Sequence, residues 1–232
     1  MNKSDSFTTS RWNVLLRALI RYLMAFAFVG LILFVSAGTM NYKDGWVFIA
    51  GLFLPMTFTL VFLLIKDPEL LEKRMKMKEK QSAQKKYLRI SLVLFVLAYI
   101  LPGLDYRYHW SDVPTWLTVL SLIVMIGGYI MFLVVMIQNR YASRVIEIQN
   151  NQKLIDTGLY SVVRHPMYLA ASILYLASAL VLGSYYALIL MLLLPFLLAL
   201  RMVNEEKLLI KELPGYKEYT QKVKYRMIPY VW

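Results

Sequence analysis

Two stretches of this 232-residue sequence hold residue types that can do chemistry. The first is Gly158-Leu159-Tyr160-Ser161-Val162-Val163-Arg164-His165-Pro166-Met167-Tyr168. Glycine permits a tight turn, and proline suits the first turn of a helix. His165 is therefore expected near a helix N-terminus, whose free N–H groups and positive dipole end attract a carboxylate or phosphate. The second stretch is Arg201-Met202-Val203-Asn204-Glu205-Glu206. Arg201 and Glu205 are four residues apart, so they share a helix face. The arginine can grip an anion bidentately, and the glutamate can hold an ammonium group. Each stretch alone also has a plainer reading. The first could be an interfacial helix start with Arg164 snorkelling to lipid headgroups. The second could be a snorkelled arginine beside a weak surface ion pair. Together they offer an anion binder, a cation binder, a tyrosine and a histidine, which suits a ligand carrying both charges, such as an amino acid.

What must bring them together is a membrane hairpin. The apolar runs Pro166–Leu182 and Tyr186–Val203 are joined by a very short turn, so their outer ends lie on one side of a bilayer. Four more runs precede them: Tyr22–Ala37 (expected to begin a turn or more earlier), Trp46–Ile65, Ile90–Tyr108 and Pro114–Ile137. Each approaches the roughly 20 apolar residues that cross a bilayer core. The first run is too long for a secretory leader and lacks a clear small-residue cleavage pattern. Pro55, Pro102 and Pro195 lie inside runs and are expected to kink them. Gly127-Gly128 is expected to allow close helix contact.

Hydrophobic residues make up 59% of the chain, above the roughly 45–50% of soluble domains. The absence of cysteine removes thiolate catalysis, disulfides and cysteine zinc sites, and two histidines are too few for a His-rich metal site. No metal is expected. The formal charge of +12 would suggest nucleic acid in a soluble protein. Here the loops on one side carry only Lys43 and Arg107, while nearly every other Lys or Arg lies on the side shared by both termini. That asymmetry places both termini in the cytoplasm and accounts for the charge without nucleic acid.

The basic loop 66–89 contains Asp67-Pro68-Glu69, the pattern of an N-cap, a first-turn proline and an acid. Residues 70–78 are expected on the membrane surface, as topology signal and anionic-lipid contact or, alternatively, in a direct substrate role. The expectation is an all-α polytopic membrane protein of about six transmembrane helices with a cytoplasmic helical C-terminal cap. Residues 1–137 form the N-terminal spans, and 138–232 form the chemical region with its hairpin and tail.

The pattern resembles the isoprenylcysteine carboxyl methyltransferase family and, more broadly, the phospholipid methyltransferases. Gly158, Tyr160, Arg164, His165, Pro166 and Tyr168 match its glycine, tyrosine and Arg-His-Pro-x-Tyr. Arg201, Glu205, Glu206, Gly215 and Tyr219 match the arginine, the glutamate pair and the Gly-x-x-Tyr tail, with Tyr216 between. Asn139-Arg140-Tyr141-Ala142-Ser143, Gln149 and Asp67-Pro68-Glu69-Leu70-Leu71 are also similar. The strong match spans roughly residues 138–230. The resemblance implies S-adenosyl-L-methionine as cofactor, lined by Gln149, Leu154, Ile155, Tyr160, His165, Pro166 and Tyr168. It implies that Glu205 holds the cofactor's ammonium group and Arg201 the anionic group of a lipophilic acceptor.

Methyl transfer from a sulfonium needs an in-line nucleophile in a dry, ordered site, where positioning supplies much of the rate. A carboxylate acceptor is already ionised at neutral pH and needs no base. An amine or thiol would need one, with His165 or Tyr160 as the candidates. Two other classes compete: a membrane sterol-type reductase binding NADPH, and a non-enzymatic lipid-binding protein. Against the reductase, Leu159-Tyr160-Ser161 follows the glycine where an aromatic-rich stretch is expected.

Overall fold

The computed structural model describes residues 3–75, 82–141, 148 and 151–232, with side chains from Trp12 onward except those of 82–86. Among the described residues all regular structure is helical. Four long helices come first: α1 (Lys3–Ala37), α2 (Lys43–Lys66), α4 (Ser82–Tyr108) and α5 (Thr115–Gln138), with the short α3 (Pro68–Arg74) between α2 and α4. A 3-10 turn, Gly158–Ser161, precedes α6 (Pro166–Val181), α7 (Tyr185–Met191), α8 (Leu193–Glu212) and α9 (Tyr216–Lys222).

Among the described residues, five segments are long and apolar enough to cross a membrane: Trp12–Ala37, Lys43–Lys66, Tyr87–Tyr108, Thr115–Gln138 and Tyr185–Glu212. The sixth expected span, α6, has 16 residues, or about 24 Å of helix. That is short of the roughly 30 Å bilayer core. The first span does start earlier than Tyr22, as expected. Outward-facing Leu54, Phe58, Ile123, Ile189 and Phe196 are exposed to the surroundings. In water such a surface would aggregate, and in lipid it is the solvated face.

The expected Tyr186–Val203 span is bent into α7 and α8 at Leu192. Pro195 explains the bend. It has no N–H for the Met191 carbonyl, and its ring crowds that same oxygen. Leu192 keeps right-handed helical angles, so the chain turns without stopping.

Small residues set the closest helix crossings. A Cβ on Gly103 would overlap Ser36 Oγ and stand 2.8 Å from the Ala37 nitrogen, so α4 meets α1 backbone to backbone. Of the Gly127-Gly128 pair, only Gly128 makes the expected close contact: its Cβ would lie 2.8 Å from Ile173 Cγ2 on α6, whereas Gly127 meets nothing within 4 Å. Around these crossings pack Leu33, Phe48, Met125, Leu182 and Met191, all fully buried.

A polar knot closes the end of the bundle away from residues 158–168. Asp105, at the end of α4, is 1% exposed. It accepts hydrogen bonds from Ser111 N and Ser111 Oγ, both at 2.7 Å, and from Ser184 Oγ. Ser184 Oγ in turn caps α7 by accepting from Ala187 N at 3.0 Å, and Tyr42 donates to the Leu182 carbonyl. The knot ties α4 to the α6–α7 turn. Asp105→Ala strands buried donors at about 1–3 kcal/mol. It is expected to lower the melting temperature in detergent by several degrees, and an unchanged melt would show that the knot holds nothing.

Candidate active site

The site begins where α5 ends. Gln138, its last residue, accepts a hydrogen bond from Leu159 N at 3.1 Å. A side chain at Gly158 would overlap Gln138, and Gly158 sits at φ +60°. Glycine is therefore required there on two counts, space and backbone angle. The turn it starts places Tyr160 inward, where Asn139 Nδ2 donates to its hydroxyl at 2.9 Å. Tyr219 of α9 donates to the Tyr160 carbonyl at 2.6 Å, which clamps the tail onto the turn.

His165 is the N-cap of α6 and Pro166 its first residue, as the spacing predicts. The anion at this helix start belongs to the protein itself. Glu206, 4% exposed, accepts from Arg164 Nε at 2.6 Å, lies 3.2 Å from His165 Nε2, and accepts from Arg226 Nε at 2.7 Å. The backbone N–H groups of Arg164 and His165 donate to the carbonyls of Tyr225 and Arg226 at 3.0 and 2.8 Å. Arg164 Nη1 also donates to the Val223 and Lys224 carbonyls. The alternative of a snorkelling Arg164 is thereby corrected. Arg164 is 7% exposed, because its charge is matched by Glu206 and its donors by tail carbonyls.

Glu205 faces elsewhere. It accepts from the Tyr168 hydroxyl at 2.6 Å and lines a cavity of about 650 Å³. The size suits a small-molecule site. Of the residues expected at the site, Leu154, Ile155, Tyr160, His165, Tyr168, Arg201 and Glu205 line this one cavity. Pro166 does not line it. It is buried and acts by starting the helix. Gln149 lies outside the described residues. Asn139, Tyr216 and Tyr219, which the resemblance matched without giving them individual roles, also line the cavity. Arg74 joins them from α3, within the stretch 70–78 whose alternative reading is a direct substrate role.

The cavity has two ends. Toward the tail it is walled by Tyr160, Glu205, Tyr216, Leu154 and Ile155. Between α4, α6 and α8 it becomes an apolar groove of Leu92, Phe95, Ala171, Leu194 and Leu197. Leu92 is 60% exposed on the outer face, so the groove reaches the bundle's apolar surface.

The tyrosines at the tail end hold their protons. Burial pushes the Tyr160 phenol up to about 12, aided by the Glu205 charge and opposed by the Asn139 hydrogen bond. Burial also drives Tyr216 and Tyr219 upward. None is a phenolate near neutral pH. His165 Nε2 is engaged by Glu206 and lies 3.4 Å from the Tyr216 hydroxyl. The site therefore offers charge complementarity and oriented donors in a shielded space.

A family model described as phospholipid methyltransferase matches residues 116–214. That stretch runs from α5 through Glu205, Glu206 and the end of α8. Among solved structures, a eukaryotic intramembrane Ras methyltransferase, isoprenylcysteine carboxyl methyltransferase, is similar over 97% of this chain and 95% of its own. Its identity is 17% and the TM-score is 0.50, a likeness of fold. No curated protein matches the chain in sequence.

Proposed function

We infer that this chain, a membrane methyltransferase whose residues 116–214 are of the phospholipid methyltransferase family, transfers a methyl group from S-adenosyl-L-methionine to a lipophilic carboxylate. The observation that carries the reading is the two-ended cavity: an ionisable, tyrosine-rich end joined to an apolar groove, with Arg201 and Glu205 lining it together.

The residues fit the cofactor. An amino-acid moiety needs a carboxylate for its ammonium group, and Glu205 supplies one inside the cavity. Leu154 and Ile155 offer apolar wall for an adenosine, and Tyr160, Tyr168 and Tyr216 offer aromatic surface and hydroxyls. Bound there, the cofactor would supply an electrophilic methyl group on a sulfonium. Arg201 would orient the acceptor's anionic group, and the groove between α4 and α8 would admit its apolar part from the bilayer. The buried Tyr160 phenol, which holds its proton, favours an acceptor that is a nucleophile without losing a proton, which a carboxylate is. It counts against an amine or thiol that would need that phenol as its base. Burial under α9 and the tail limits water, so charges in the site act strongly. The Lys and Arg distribution supports a site, tail and both termini on the cytoplasmic side.

The family match over 116–214 favours this reading over a nicotinamide-dependent reductase. Calorimetric titration of the detergent-purified protein with S-adenosylhomocysteine, and separately with NADPH, tests it. Saturable binding of the first alone is expected. Binding of NADPH alone would move the chain to the reductases, and binding of neither by folded protein would leave a lipid-binding role.

A further inference from the structure

The tail after α9 does more than cap the cavity. The N–H groups of Arg164 and His165 hold the Tyr225 and Arg226 carbonyls beside the start of α6. Met227 lies further along that helix. Its Sδ is 3.7 Å from Ser172 Oγ, and both residues are buried. Ser172 is about two turns into α6, roughly 10 Å along the axis from His165. Its neighbour Ile173 packs on Gly128, near the middle of the apolar span Thr115–Gln138. The tail therefore descends beside α6 into the cavity-side part of the membrane spans, instead of stopping above them.

There the chain turns back on itself. The Trp232 main-chain oxygen accepts from the N–H groups of Arg226, Met227 and Ile228 at 2.9, 3.0 and 3.1 Å. The Ile228 carbonyl accepts from the N–H groups of Val231 and Trp232 at 3.2 and 3.0 Å, and Pro229 has no N–H to place. Pairing these donors within the turn lowers the cost of taking it out of bulk water. The side chains suit the same move. Tyr230 and Val231 at the tip are 87% and 75% exposed, and Ile228 is exposed beside them. Lys222 and Lys224 are exposed where the descent begins, at the height of lipid phosphates. Apolar groups and a tyrosine below, with lysines above, follow the polarity of a membrane interface.

We propose that residues 228–231 are an interfacial anchor, seated at the headgroup–acyl boundary of the leaflet on the cavity side, and that this contact with a phospholipid surface holds the tail closed over the cavity. The path from anchor to site is short. Arg226 donates to Glu206 at 2.7 Å, and its guanidinium carbon stands 5.3 Å from the centre of the Trp232 ring. A tip pulled out of the lipid thus loosens the turn that presents Arg226 to Glu206. The anchor is independent of which acceptor the cavity takes.

The sequence has no cysteine, so Val231→Cys gives a unique thiol for a nitroxide label. The full-length protein is reconstituted in bilayers of phosphatidylcholine and phosphatidylglycerol, and spin relaxation is measured with oxygen, which concentrates in lipid, and with a nickel chelate, which stays in water. The label at 231 is expected to respond more to oxygen, as one at Phe196→Cys on the apolar surface of α8 should. A label at Lys217→Cys on α9 should respond more to the chelate. Tyr230→Cys supplies a second position should Val231→Cys not fold. Tip labels as open to the chelate as Lys217→Cys overturn the proposal. Tip labels shielded from both reagents overturn it as well, and assign the tip to a protein contact. The hold on the tail is read separately. Val231→Asp is expected to speed tryptic cleavage at Lys222 and Lys224 several-fold in the same bilayers, and Val231→Leu to leave it at the wild-type rate. Equal cleavage of Val231→Asp and wild type would show that lipid contact does not hold the tail closed.

Discussion

Glu206→Ala is expected to cost about 3–5 kcal/mol, the scale for removing one partner of a buried ion pair. The reason is Arg164. It is buried with Glu206 at 2.6 Å, and without that carboxylate its charge stays in a site that gives it only neutral carbonyls. Arg226 loses its partner too, although its side chain is 36% exposed and water offsets part of that loss. The tail should loosen next, because Arg164 joins α6 to the Val223 and Lys224 carbonyls. The expected result is a melting temperature lower by on the order of 10 °C. Rapid tryptic cleavage at Lys217, Lys222 or Lys224, sites that are slow to cut in wild type, should accompany it. Glu206→Gln keeps an acceptor oxygen but brings an amide toward cationic donors, so it should fall between. A Glu206→Ala protein that melts like wild type and keeps a protease-resistant tail would refute the view that this carboxylate docks the tail.

Glu205 and Glu206 also show what could be read from sequence. Neighbours on a helix point about 100° apart. The i, i+4 spacing therefore picks Glu205 as the carboxylate on the Arg201 face, and both line one cavity. The partners of Glu206 could not be read in the same way. Arg164 lies 42 residues before it and Arg226 20 after it, and only the returning tail brings the second one back. The α3 cap was legible because Asp67, Pro68 and Leu70 are local to one turn. Entry of Arg74 into the cavity was not, because it depends on how α3 lies against α1 and α5. The hydrophobic runs gave the long helices, since lipid demands continuous apolar length. They could not place the bend at Leu192, where Pro195 leaves hydropathy intact but breaks one hydrogen bond. The shortfall of α6 from the bilayer core was already present in the run Pro166–Leu182, which is one residue longer than the helix.

Glu205→Gln is the complementary experiment, because it should damage binding and leave the fold alone. Glutamine keeps an oxygen for the Tyr168 hydroxyl, now 2.6 Å from Glu205, and removes only the charge. Melting should stay close to wild type. Affinity for S-adenosylhomocysteine should fall by about 10- to 100-fold, since a hydrogen bond to a charged group is worth about 1.5–3 kcal/mol. Arg201→Ala should behave in the opposite way. It should keep cofactor affinity within a few-fold and abolish methyl transfer from labelled S-adenosylmethionine to an S-prenylcysteine probe, because an unheld acceptor loses the positioning that makes the step fast. The pair separates two roles that lie one helical turn apart on α8. If both variants lose cofactor affinity equally, the division between an ammonium-binding glutamate and an acceptor-binding arginine is wrong, and both would belong to the cofactor.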